Sequence, residues 1–253
     1  MAKVKSIVPL QGSIGEITFL KNGIGTGYRA QAKLVVSKDR FKTSPAFARA
    51  RENASEFARA GSAGKLLRNS VNALLQDVKD KTRNLRMFQK IMAVIKTDTI
   101  SPRGHRNLVD GDITLLKKFP FNDKSTLESV FKAGVTPAIN RVTGQLTVAV
   151  PIFVPTLELT APIGTTHFQF VSAGSEVDFE MGVFKSDIQK SAQLPYNTTA
   201  TTAINLASTM VVNSTHPLFL VFGVKFFQQV NGIMYPILAG GFNTLVIVDA
   251  NKV

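Results

Sequence analysis

The spacing of apolar residues changes near residue 112 of the chain. From Ser44 onward, apolar side chains recur every three to four residues, which is the period of an amphipathic helix. Beyond Asp112 the apolar and polar positions alternate with a period of two, which is typical of strands. The pattern therefore predicts an α+β protein with two domains. Residues 1–110 form a basic strand-and-helix region, and residues 111–253 form a β-sandwich domain.

The first part of the chain predicts short strands separated by glycines. Asn22-Gly23 favours a type I′ hairpin turn between two of them, because both central residues of that turn need a positive φ. The predicted strands are Val4–Val8, Gly15–Leu20, Tyr28–Gln31 and Lys33–Val36.

Basic helices follow these strands. Ser44-Pro45 is a typical helix start, with a capping hydroxyl before a proline at the first helical position. Gly61 is expected to end this helix and Ser62 to begin the next, and a third helix is expected over Thr82–Thr97. The spacing of Gly61 and Gly64 predicts a corner between two helices. The alternative is the G-x-x-G loop with which a KH module holds a nucleic-acid backbone.

The β half predicts seven to nine strands at the intervals of an immunoglobulin- or fibronectin-like antiparallel sandwich. Asn231-Gly232 predicts a hairpin between two long strands. The predicted strands are Ile113–Leu116, Ala138–Arg141, Gln145–Phe153, His167–Ser172, Val177–Phe184, Leu206–Val212, Leu218–Val230, Ile233–Leu238 and Thr244–Asp249.

The excess of positive over negative charge lies entirely in the N-terminal half. Residues 1–110 hold 21 Lys and Arg against 8 Asp and Glu, whereas residues 111–253 hold 9 of each. Such an asymmetry indicates contact with nucleic acid or an acidic protein surface, and the alternative is a solvated helical face. The candidate contact residues are Arg49, Arg51, Arg59, Lys65, Arg68, Arg103 and Arg106.

Other features indicate contacts between subunits. Small residues on the helices allow close packing within or between subunits, and residues 218–227 are apolar on both faces of a strand. A further layer, either the helices or another copy, is expected to cover that strand. Alternation predicts that three carboxylates of residues 176–180 share a strand face, where they bind a cation, meet a neighbour's basic patch or face water. The candidate subunit contacts are Phe47, Phe57, Glu176, Asp178, Glu180 and Phe226.

The sequence predicts no catalytic, cofactor or metal site. The chain has no cysteine and three histidines, and it lacks a phosphate loop, a zinc-binding H-E-x-x-H and a nucleophile elbow. It has no apolar run of about 18–20 residues, which a membrane span requires, so no transmembrane segment is expected. The apolar run near the N-terminus is broken by Pro9, so no signal peptide is predicted either. Both an extracellular or virion assembly and a cytoplasmic location stay open.

Several N-terminal motifs together resemble a family of uncharacterised Bacteroidota proteins. The resemblance covers roughly residues 10–112 and implies a bacterial or phage source, without an activity or roles for individual residues. The motifs are Gly12-Ser13-Ile14-Gly15, Ser37-Lys38-Asp39-Arg40, Pro45-Ala46-Phe47-Ala48-Arg49, Arg51-Glu52-Asn53, Glu56-Phe57-Ala58-Arg59-Ala60-Gly61, Gly64-Lys65-Leu66-Leu67-Arg68 and Pro102-Arg103-Gly104.

These observations favour a non-catalytic structural subunit that assembles with itself into a filament, tube or shell, as in a phage, a phage-derived particle or a surface fibre. One alternative is a nucleic-acid-binding protein that uses the basic N-terminal helices. Another is a surface adhesion or carbohydrate-binding module. The salt dependence of binding distinguishes the structural subunit from the nucleic-acid-binding protein. Phosphate contacts weaken steeply with ionic strength, whereas apolar subunit contacts persist.

Overall fold

The chain divides into two compact units. The computed structural model describes residues 2–4, 11–21, 28–33, 36–238 and 241–252. Residues 1–51 form unit 1 and residues 52–253 form unit 2. The division thus differs from the boundary expected near residue 110. The reason is that buried side chains of helical residues 60–95 share one apolar core with the β-rich half.

Unit 1 contains a four-stranded antiparallel sheet with the order β1-β4-β3-β2. Gly15–Leu20 and Tyr28–Gln31 were predicted as strands, and β3 and β4 confirm them with small shifts in their ends. The Asn22-Gly23 turn, most of Val4–Val8 and part of Lys33–Val36 lie outside the described residues. The elements are β1 (Ala2–Val4), β2 (Gly12–Ile14), β3 (Ile17–Lys21), β4 (Tyr28–Ala32), α1 (Lys38–Thr43) and a 3₁₀ turn (Pro45–Phe47).

The long helix α2 (Ala48–Ser70) runs without interruption through Gly61. The predicted helix end at Gly61 is therefore wrong, and so is the corner or KH-type loop at Gly61 and Gly64. A glycine inside a helix costs only about 1 kcal/mol, and packing against the next helices offsets it. Gly64 lets that helix approach α4 (Arg83–Lys96) closely, because an added Cβ would lie 3.3 Å from the Ile91 side chain. The short helix α3 (Asn72–Leu75) lies between them.

Two antiparallel sheets form the rest of unit 2. The six-stranded sheet has the order β12-β11-β7-β8, with β13 also paired to β11 and β9 to β7; the three-stranded sheet has the order β10-β6-β5. The elements are α5 (Leu127–Val130), β5 (Thr136–Asn140), β6 (Gln145–Val150), α6 (Pro155–Glu158), β7 (His167–Asp178), β8 (Val183–Lys190), β9 (Leu194–Pro195), β10 (Ile204–Thr209), β11 (Leu218–Val230), β12 (Ile233–Pro236) and β13 (Thr244–Asn251).

The six-stranded sheet is the middle of three layers. Alternate side chains of β11, such as Phe219 and Val221, join the helices in one apolar core. Their neighbours, such as Phe222, join Leu146 and Leu206 of the three-stranded sheet in a second core. This arrangement explains why β11 is apolar on both faces, and the covering layer includes the helices. The α+β class is confirmed, whereas an immunoglobulin- or fibronectin-like topology stays a prediction.

Two predicted strands are wrong. Ile113–Leu116 is a 3₁₀ helix, in which the Asp112 side chain caps the first turn by accepting a hydrogen bond of 3.0 Å from the Thr114 amide. Val177–Phe184 spans the turn between β7 and β8, where Gly182 has a φ of 70°. The predicted hairpin at Asn231-Gly232 is confirmed, because both residues have a positive φ between β11 and β12.

Candidate functional site

A cleft between α2, α4 and the loop 97–112 brings together three residues that the sequence singled out. Phe57, Arg103 and Arg106 line it, and its volume is about 610 Å³. We call this space the α2–α4 cleft. Residues from α4 complete it, namely Phe88, Gln89, Met92 and Lys96, and α2 adds Asn53 and Glu56.

Hydrogen bonds to the Asp98 carboxylate fix the start of the loop. The buried Asp98 carboxylate accepts the backbone N–H groups of Ile100 and Ser101 at 2.8 and 2.9 Å, and that of Asn107 at 3.0 Å. Burial raises the pKa of Asp98, but these hydrogen bonds outweigh it and hold the pKa below its usual value. The loop that carries both cleft arginines is therefore tied to the end of α4.

Two side chains of α2 hold the middle of the same loop. Glu56 is buried and accepts the Gly104 N–H at 2.8 Å. The Arg59 Nη1 group donates to the Gly104 and Arg106 carbonyl oxygens at 2.9 and 3.1 Å. Gly104 has a φ of 85°, and a Cβ there would lie within 3.0 Å of Glu52, so this position needs glycine. Arg59 thus serves as a clamp on the loop.

The floor of the cleft is apolar and aromatic. The Phe57 and Phe88 rings lie 5.2 Å apart between centroids, in a tilted arrangement. Phe57 remains 53% exposed, although a phenylalanine on a helix usually buries its ring. Met92 lies beside this pair as a partly buried side chain. About half of the Phe57 side chain is therefore accessible to a ligand in the cleft.

Cationic groups surround this floor. Arg103 contacts Glu52 at 3.4 Å through Nε and donates to the Asn53 side chain at 3.0 Å. The Nε atom of Arg106 is buried and has no hydrogen-bond partner among the described residues. Lys96 is exposed at the C-terminal end of α4. The cleft thus holds three cations, of which Arg103 is already paired with Glu52, and the one carboxylate that lines it, on Glu56, binds the loop backbone.

The remaining predicted basic residues lie outside the cleft. In unit 1, Arg49 is exposed, and Arg51 donates to the Phe41 and Ser44 carbonyl oxygens at 2.6 and 2.9 Å. In unit 2, Lys65 is exposed on α2. Arg68 is half-buried, and burial lowers the pKa of its guanidinium. The predicted basic residues therefore do not form one continuous surface within unit 2.

The predicted subunit contacts are also dispersed. Phe226 is fully buried in the core between the two sheets. It therefore cannot contact another subunit in this structure, and the prediction that it does so is wrong. Phe57 belongs to the cleft. In unit 1, the Phe47 ring lies 5.5 Å from that of Phe41. Glu180 lies beyond the end of β7, so the three carboxylates do not share one strand face.

Glu176 belongs to a polar cluster at the end of β7. It is buried and accepts the Ser214 hydroxyl at 2.6 Å. Asp178 accepts backbone N–H groups of residues 180 and 181 at 2.9 Å, and its Oδ2 lies 3.9 Å from the His216 Nε2 atom. Since the Ser214 hydroxyl is bound to Glu176, Glu176 has a structural role here.

Sequence reasoning missed the α4 side of the cleft. Phe88 and Met92 were interpreted only as part of the apolar face of their helix, and Lys96 was not singled out. Their spacing of four residues does place them on one helix face. However, nothing local indicates that this face stays partly open beside Phe57.

The part of the chain that the structure describes has neither a clustered metal site nor a membrane-spanning helix. No group of three or more His, Asp and Glu side chains in this part of the chain is arranged to hold a metal ion. Within the same ranges, every helix is too short or too polar to cross a membrane.

No family model and no curated protein matches this chain. A solved structure described as "pH-induced modulation of Streptococcus parasanguinis adhesion by Fap1 fimbriae" aligns with 51% of this chain and 93% of that chain, at 12% identity and a TM-score of 0.20. So low a TM-score supports no statement about fold or function.

Proposed function

We propose that this protein is a non-catalytic structural subunit that assembles with copies of itself into a filament, tube or shell. The observation that supports this most is the outer edge of β8. This strand pairs with residues 171–178 of β7, and no other described strand pairs with it. Met181 and Val183 are 77% and 58% exposed at its start, and Phe184 is exposed beside them.

An edge strand with unpaired backbone groups is a template for pairing with another chain. Natural edge strands often prevent such pairing with charged side chains such as lysine, with proline or with bulges. β8 carries Lys185 and Lys190, but its start at Val183 and Phe184 is apolar and exposed. A second copy of the chain is the partner that its sequence fits best.

The residue order of β8 is self-complementary. If two copies pair antiparallel about a two-fold axis at Ser186, Lys185 lies opposite Asp187 of the second copy, and Phe184 lies opposite Ile188. Opposite charges and apolar pairs directly across an antiparallel ladder are stabilising, by about 0.2–1 kcal/mol each. Asp187 already accepts the Thr209 N–H at 2.7 Å, and a carboxylate can accept more than one donor.

Unit 1 offers a second surface for assembly. None of its described side chains between residues 11 and 51 is buried, and Ile14 of its sheet is 64% exposed. A sheet needs one covered face for stability, and we assign that cover to another copy. The two-fold β8 contact closes as a dimer, so a separate contact through unit 1 is what can join dimers into an open filament.

Assembly can be tested on the full chain near physiological salt. Sedimentation velocity over a hundredfold concentration range, with negative-stain electron microscopy, should show oligomers that grow with concentration. Val183→Lys should weaken association at least tenfold, because it places a desolvated charge in the ladder. The matched control is Ile163→Lys, at a fully exposed loop position outside the edge, and it should assemble as the wild type does.

Two outcomes would count against the proposal. One is a uniform monomer at every concentration. The other is equal weakening by both lysine variants, which would indicate a general effect of charge. The alternative of an adhesion or carbohydrate-binding module stays a prediction, and a glycan-array screen of the same protein tests it. The source in a Bacteroidota genome or its phage also stays a prediction.

A further inference from the structure

We propose that the α2–α4 cleft binds a nucleotide, with the base on the Phe57 and Phe88 rings and the phosphate on Arg106, Arg103 and Lys96. This inference is independent of the proposed assembly. It names one site within unit 2.

The first step concerns the aromatic floor. Phe57 leaves half of its surface in water although its neighbour Phe88 is only 5.2 Å away, centroid to centroid. Exposed aromatic faces bind the π-face of a base, and each such stack contributes about 1–3 kcal/mol. Met92 extends the apolar surface, so the floor matches a flat ring better than it matches a bare inorganic ion.

The second step concerns the buried guanidinium nitrogen. The Arg106 Nε atom is removed from water, and among the described residues it has no acceptor. A buried donor without a partner costs about 1–3 kcal/mol. Arg106 lines the cleft, and its guanidinium would gain a partner by turning towards an anion bound there. Phosphate oxygens are suitable because a guanidinium can bind them with two parallel hydrogen bonds.

The third step concerns how firmly the cations are placed. The Arg106 carbonyl is held by Arg59 at 3.1 Å, and the loop start is held by Asp98. The cation-bearing loop is thus fixed before a ligand arrives, which lowers the cost of binding. The cleft volume of about 610 Å³ also lies in the range of about 300–1,000 Å³ that is typical of small-ligand sites.

Two kinds of ligand present a base and a phosphate in this way: a free mononucleotide and a nucleotide within a single strand. The test uses isothermal titration calorimetry with AMP and inorganic phosphate, and fluorescence anisotropy with a fluorescein-labelled twelve-residue oligothymidylate. Binding of AMP alone indicates a mononucleotide site. Tighter binding of the oligonucleotide, with AMP as a competitor, indicates a single-stranded nucleic acid.

Three variants make the test specific. Phe57→Leu keeps the apolar volume but removes the ring, and Arg106→Gln removes the charge, so each should weaken binding at least tenfold. Lys65→Gln is the control, because it removes one exposed charge from the same helix outside the cleft, and it should change affinity less than threefold. If Arg106→Gln unfolds the loop, Lys96→Gln at the exposed helix end replaces it and should weaken binding at least threefold.

The proposal is overturned if neither AMP nor the oligonucleotide binds. It is also overturned if inorganic phosphate binds as tightly as AMP, which would leave an anion site without base recognition. Equal losses in Lys65→Gln and Arg106→Gln would indicate non-specific attraction and would overturn it as well. The assembly-deficient Val183→Lys variant should bind AMP normally, which separates this site from the subunit contacts.

Discussion

Replacing Arg141 should destabilise unit 2 more than any other single arginine replacement discussed here. Its guanidinium joins three chain segments at one end of the sandwich. The Nε and Nη2 atoms donate to the Asn251 side chain and carbonyl, both at 2.6 Å, and Nη1 donates to the Ser214 and His216 carbonyls at 2.6 and 2.9 Å. Arg141→Met would leave these acceptors unpaired.

The magnitude follows from that geometry. A hydrogen bond to a charged group contributes about 1.5–3 kcal/mol, but four bonds from one side chain are not additive. The guanidinium also attracts the buried Glu176 carboxylate, and burial lowers its own pKa. Because Arg141 is half-buried, we expect the loss of its hydrogen bonds to cost about 2–4 kcal/mol in total. At about 2–4 °C per kcal/mol for a domain of this size, Tm should fall by about 4–16 °C.

Thermal unfolding followed by circular dichroism measures this loss. Arg141→Lys keeps the charge but lacks the planar fork, so it should recover only part of the stability. Lys132→Met removes an exposed charge elsewhere in unit 2 and should leave Tm nearly unchanged. A Tm for Arg141→Met within about 2 °C of the wild type would refute the assignment of Arg141 as a structural link.

Three further predictions concern stability. Gly61→Ala should raise Tm by about 2–4 °C, because Gly61 lies inside an exposed stretch of helix with open space around a Cβ; a lower Tm would support a hinge instead. Gly111→Ala should cost about 1–3 kcal/mol in chemical denaturation, since a Cβ would lie 2.4 Å from the Val94 carbonyl oxygen, and an unchanged midpoint would contradict this contact. Burial raises the pKa of Asp80, but hydrogen bonds from Arg86 and Thr82 and the charge of Arg86 together outweigh it and hold the pKa at about 2. The stabilisation is therefore complete above pH 3.8 and is lost as pH falls towards 2, and Asp80→Asn should flatten the stability profile in that window.

The elements with strong local signals could be predicted from the sequence. The strand Leu218–Val230 was predicted correctly because its long apolar run is visible in the local sequence. The turn at Asn231-Gly232 was predicted correctly because these two residue types favour a positive φ. Helix α4 was found within one residue at each end because its apolar positions follow one clear stripe. The α+β class follows from these elements.

The wrong predictions concern elements whose ends and positions are set by tertiary contacts. Gly61 looks like a helix end, but packing of the following residues against α4 carries α2 on to Ser70. The alternation over residues 177–184 continues through a turn, so Glu180 was placed on a strand. The cleft depends on the path of a loop held by hydrogen bonds between residues up to 48 positions apart, and no periodicity reports such contacts.

The middle position of the six-stranded sheet limits how the protein can be divided. Phe219 and Val221 face the helices, while Phe222 faces the smaller sheet, so the sheet loses one cover if residues before 111 are removed. A fragment of residues 111–253 would expose the apolar face of the six-stranded sheet to solvent. It should precipitate or lack fixed side-chain packing, as measured by dye binding and proteolysis. The helices and the β-rich half should therefore fold only together. Insertions or fusions should be tolerated at loop tips such as residues 163–164 far better than at the helix-to-sheet connection.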